Sequence, residues 1–112
     1  MASNRPLPKY EIPEQLEEQL YLYATHGALN MIEPILRTKG IKVNKPRPDG
    51  VTPLSMASQK GHTDIVKALL RKKGIKVNKP TPDGVTPLFI ASQNGHKEIV
   101  ELLLNVDNID VN

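Results

Sequence analysis

The chain has 112 residues, enough for one small domain that buries roughly two-thirds of its unfolded surface. It contains no Cys, which excludes a disulfide framework and a thiolate metal site and allows a reducing compartment. The net charge of +3 hides an uneven distribution: residues 37–79 carry twelve Lys and Arg against Asp49 and Asp64, a local +10, while residues 1–36 sum to −3 and residues 80–112 to −4.

Residues 1–12 hold Pro6 and Pro8 with mixed charge and read as an extended leader; a Pro-rich ligand segment there is weighed and set below a plain linker. The opening MASNRPLPKYEIP lacks the apolar core of a cleaved leader and nothing resembles a transmembrane span, so an intracellular (cytoplasmic) location is expected.

From Pro13 the pattern turns helical. Pro13 suits a first-turn position, Glu14, Glu17 and Glu18 complement the N-terminal dipole, and Leu16, Leu20, Tyr23 and Ala24 share a face. A second helix is expected with Asn30 as N-cap and Glu33 reaching back to it. That places Pro34 in the first turn, where it shortens or kinks the helix.

The organising stretch follows. DGVTPLSMASQKGH at Asp49–His62 returns as DGVTPLFIASQNGH at Asp83–His96, and GIKVNKP at Gly40 returns at Gly74, both with a 34-residue offset. A period between about 20 and 50 residues signals a solenoid. Asp-Gly is turn chemistry, because Gly50 and Gly84 take positive φ without a Cβ clash. Thr52 and Thr86 then suit an N-cap, with Pro53 and Pro87 in the first helical position. Leu54 and Ala57, with Leu88 and Ala91, share one face, and Gly61 and Gly95 end the helix. A second helix from about Thr63 or Lys97 carries Ile65, Val66, Leu69 and Leu70, or Ile99, Val100, Leu103 and Leu104, at helical spacing. The same offset maps Leu20 onto Leu54 and Gly27 onto Gly61, so 13–46 reads as a divergent capping unit, 47–80 as a full unit and 81–112 as a third. Two short helices cannot enclose a core alone, so the units must stack.

These residues resemble the ankyrin repeat. TPL..A...GH, then a spaced V..LL, then G..VN recur in both full units, with Ser55 and Phe89 standing where the family keeps a His after TPL. The resemblance implies an all-α solenoid of about three stacked helix-turn-helix repeats with hairpin-like loops. It also implies that the hairpin tips and the exposed side of the first helices form a concave binding surface. The matching positions are Arg47, Asp49, Val51, Ser55, Gln59 and Lys60, then Thr81, Asp83, Val85, Phe89, Gln93 and Asn94. Phe89 is the preferred anchor, against an alternative role in core packing.

No catalytic arrangement competes with this reading. His62 and His96 recur at the repeat period as structural hydrogen-bonding residues, and two isolated imidazoles do not make a metal site. Ser55, His62 and Asp64 form no nucleophilic triad, since Ser55 becomes Phe89 one period later and no oxyanion signature surrounds it. The glycines punctuate turns and none heads a phosphate-binding run. No cofactor is implied.

The basic middle lacks interleaved aromatics, because Tyr10, Tyr21 and Tyr23 precede it and Phe89 follows it. Nucleic acid, other phosphate-rich ligands or an anionic membrane are therefore ranked below an acidic protein partner. Leu102, Leu103, Leu104, Val106 and Ile109 finish the chain without a polar cap. That suggests further repeats, or self-association through the third unit. The expected function is a non-enzymatic protein-binding scaffold. The alternative is a recruiting segment of a larger protein, like the ankyrin effectors of intracellular bacteria.

Overall fold

The computed structural model describes residues 13–109; the leader expected over 1–12 lies outside them. The described residues form six α-helices and no strand, in three antiparallel pairs: α1 (Pro13–His26) with α2 (Leu29–Leu36), α3 (Pro53–Lys60) with α4 (Thr63–Leu70), and α5 (Pro87–Gln93) with α6 (Lys97–Leu104). Two rows result. Helix α3 packs between α1 and α5, and α4 between α2 and α6. The core runs between the rows as one continuous layer holding Leu20, Ile32, Leu54, Ile65, Leu69, Ile99 and Leu103, so Leu69 and Leu103 share it as the period demands.

The Thr-Pro pair sets where α3 and α5 begin. Thr52 stands in extended conformation and its Oγ1 accepts the Ser55 N–H at 3.1 Å, while Thr86 takes the Phe89 N–H at 3.2 Å. Each proline follows at a position whose missing N–H has no intrahelical partner to lose. Ahead of them, the Arg47 N–H donates to the Val51 carbonyl at 3.0 Å and the Thr81 N–H to Val85 at 2.9 Å, closing hairpin-like loops whose Gly50 and Gly84 have φ of 84° and 82°. Gly61 caps α3 in the left-handed region, whereas α5 ends on Asn94, one residue before the expected Gly95.

Two expectations for α2 need correction. Its N-cap is Ala28, with no side-chain cap bond, so Asn30 is already helical and no capping box forms. Pro34 consequently lies inside the helix, which is nevertheless eight residues long, the same as α4 and α6. Pro34 and Asn30 are both exposed. The ring therefore meets solvent, and the Asn30 carbonyl left without an N–H donor can be hydrated.

Adjacent pairs are keyed together by side-chain hydrogen bonds and close packing. His62 Nε2 lies 2.9 Å from the Thr25 carbonyl and His96 Nε2 lies 3.0 Å from that of Gln59. Because a carbonyl can only accept, Nε2 is the protonated nitrogen in both. Each ring rests on the glycine of the preceding pair, His62 on Gly27 and His96 on Gly61. The returning loops form a ladder: Asn44 Nδ2 donates to the Gly74 carbonyl and Asn44 Oδ1 accepts the Lys76 N–H, both at 2.8 Å, and Asn78 Nδ2 donates to the Asn108 carbonyl at 2.8 Å. This explains why the Asn that ends GIKVN recurs in each unit. Lys72 Nζ reaches the Leu36 carbonyl at 2.6 Å. Within the first unit, buried Glu17 accepts the Lys42 N–H at 2.7 Å and pairs with Lys45 Nζ at 3.5 Å. That carboxylate ties down a loop as well as sitting near a helix start.

Candidate functional groove

Stacking the second and third pairs leaves a groove of about 400 Å³ between their hairpin-like loops, lined by Asp49, Val51, Ser55 and Gln59 on one side and Thr81, Pro82, Asp83, Val85 and Ile90 on the other. The two walls are the same segment one period apart. The loops supply Asp49, Val51, Asp83 and Val85 because each Asp-Gly turn reverses the chain just before its Thr cap, and the first turns of α3 and α5 supply Ser55 and Ile90. Seven of the twelve residues expected to make contact meet here. Pro82 and Ile90 were not among the expected residues. Pro82 packs directly on Gly50 of the neighbouring loop, a contact between units that neither segment reveals alone. Ile90 replaces Met56 one period on, so its variability was visible while its position was not.

The other five expected residues lie elsewhere. Arg47 lines a second groove of about 270 Å³ between the first and second pairs, with Glu17, Glu18, Tyr21, Lys45, Pro46 and Pro48. Its guanidinium carbon stands 4.7 Å from the centroid of the Tyr21 ring, a cation–π distance. Burial pushes the Tyr21 phenol above its ordinary pKa and Asp49 adds to the rise, while Arg47 opposes it. Lys60, Phe89, Gln93 and Asn94 line neither groove, and all four are exposed. Asn94 donates its side-chain amide to the Gln59 carbonyl at 3.1 Å, so it helps to join two pairs. Phe89 is 53% exposed, which removes the core-packing alternative.

The electrostatics of the main groove differ from those of the chain as a whole. Its lining holds two carboxylates and no Lys or Arg. The basic residues of the middle segment sit mainly on the returning loops, where Lys42, Lys73 and Lys76 are exposed and Lys72 is held by Leu36. Among the described residues, no three His, Asp or Glu side chains lie together as metal ligands, and no helix is long and apolar enough to cross a membrane. A family model described as ankyrin repeats, in three copies, matches residues 20–112. No curated protein matches the chain.

Proposed function

The chain belongs to the ankyrin repeat family, whose repeats serve as protein-interaction modules, and on that premise we propose that it is a non-enzymatic scaffold that binds another protein in the groove between its second and third helix pairs. The observation that carries this reading is the convergence of Asp49, Val51, Ser55, Gln59, Thr81, Asp83 and Val85 on one groove, with apolar walls and polar groups at defined places. Such a surface can bury an extended segment and still hold its register by hydrogen bonds. The unit boundaries 13–46, 47–80 and 81–112 belong to the same proposal.

The reading is tested by selecting a displayed random peptide library on the immobilised full chain, then titrating selected peptides into the wild type and Val85→Arg. Val85 is half-buried at the loop, so a long charged side chain there blocks the groove without entering the core. Binding lost in Val85→Arg, with the circular dichroism spectrum unchanged, supports the groove. Binding that persists in that variant contradicts it.

A second reading concerns the returning loops. The exposed lysines there favour an acidic protein partner on that edge, and such binding would weaken steeply as salt rises. A third concerns the outer face of the third pair, where Phe89 and Leu104 are 53% and 47% exposed. Self-association through that face would appear as a concentration-dependent mass in sedimentation and would be lost in Leu104→Lys.

A further inference from the structure

The two loops that form the groove share a sequence but not a hydrogen-bonding pattern. In the first, Asp49 Oδ1 accepts the Val51 N–H at 3.1 Å, as an Asp-Gly turn ordinarily does. In the second, Thr81 stands where Arg47 stood, and its Oγ1 takes the equivalent Val85 N–H at 3.2 Å. Asp83 is thereby released. Among the described residues it makes no hydrogen bond and no ion pair, and it is exposed on the groove. Arg47, two residues before Asp49, lies over the Tyr21 ring in the neighbouring groove and does not line this one.

A second feature of the groove asks for a donor independently of the carboxylates. Ser55 lines it and is only 3% exposed, yet its hydroxyl has no hydrogen-bond partner among the described residues; its N–H alone is engaged, by Thr52. Among the described residues Ser58 Oγ is the one buried side-chain polar atom without a partner, so the Ser55 hydroxyl is open to the groove it lines, where it can accept from a donor that a ligand brings. The same groove is lined by Val51 and Val85, apolar surface of the kind that the methylenes of a long cationic side chain cover.

We infer that this groove takes a lysine or arginine side chain from an extended segment of the partner, its stem along Val51 and Val85 and its charged head at Asp83, with Asp49 adding to the field. The inference rests on the reading of the groove as a protein-binding site and names the chemistry recognised there. It reverses the sign expected from the overall charge, since a basic chain here presents an acidic slot. Thr81 is the residue that creates the slot, by relieving Asp83 of its turn bond.

The test uses the full chain and peptides from the same displayed library. Groove-dependent peptides are expected to share a Lys or Arg, and replacing it by norleucine is expected to weaken binding about tenfold, the scale of a charge-assisted hydrogen bond lost. Asp83→Asn should weaken the parent peptide similarly and leave the norleucine peptide unaffected, so that the double-mutant cycle returns a coupling of about tenfold. Asp83 is exposed, and equal thermal midpoints confirm that the variant is folded. Groove-dependent peptides with no shared cation, or a cycle with no coupling, overturn the inference and leave the protein-binding reading standing. Failure to select any peptide that Val85→Arg abolishes overturns both.

Discussion

A Cβ placed on Gly61 would sit 2.6 Å from His96 Cε1, whereas one on Gly95 would meet nothing within 4 Å, although both glycines have left-handed φ, 80° and 75°. The pair separates two costs that usually arrive together. Gly95→Ala should lower stability by about 1–2 kcal/mol from backbone strain alone. Gly61→Ala should lose that and more, because the ring it displaces also holds the Gln59 carbonyl. Urea denaturation of both variants measures the difference; equal losses would mean that His96 does not key one unit to the next. Ser58 makes a complementary case. Its hydroxyl is fully buried and unpartnered, and Ala24 fills the same place one period earlier at 0% exposure. Ser58→Ala should therefore raise stability by about 1 kcal/mol in the same assay. A loss would show that the hydroxyl has a use in the fold.

The helices show how much one period of sequence can specify. Where Thr-Pro heads a helix, the start is read directly, because the side-chain cap and the proline act on the same two residues. Where that pair is missing, the sequence offers competing caps, and the choice falls to packing. Helix α2 starts at Leu29 and not after Asn30 because Ile32, Ile35 and Leu36 must reach the core in register with α4. That requirement outweighs both the capping box and the proline. Pro34 occupies the place of Ala68 and Leu102 in the later units, so Pro34→Ala should restore an N–H for the Asn30 carbonyl and raise the unfolding free energy by about 1–3 kcal/mol. An unchanged thermal midpoint would mean that the carbonyl is fully satisfied by water.

At the scale of the molecule, the fold was largely legible and the site only partly so. The 34-residue offset and the helical spacing place Leu20, Leu54, Ile65, Leu69, Ile99 and Leu103 in one core, since a repeat that cannot enclose itself must bury the same face each time. The groove depends on how two loops face each other. Asp49, Val51, Asp83 and Val85 could be expected there because both loops repeat one pattern, but Lys60, Phe89, Gln93 and Asn94 could not be separated from them without the pitch of the stack. Charge misleads for the same reason. The sum over residues 37–79 is basic, yet its lysines are concentrated on the returning loops and the groove keeps only carboxylates.

The groove and the loop edge therefore make opposite demands on a partner, and where binding occurs decides between them. The most direct measurement is a titration of the isotope-labelled full chain with a library-selected peptide carrying a Lys or Arg, followed by backbone amide shifts. The account predicts saturable shifts concentrated in residues 49–55 and 81–90, with those of Asp83→Asn reduced at equal peptide concentration. Shifts confined to the returning loops at 37–45 and 71–79, with 81–90 unmoved, would contradict it.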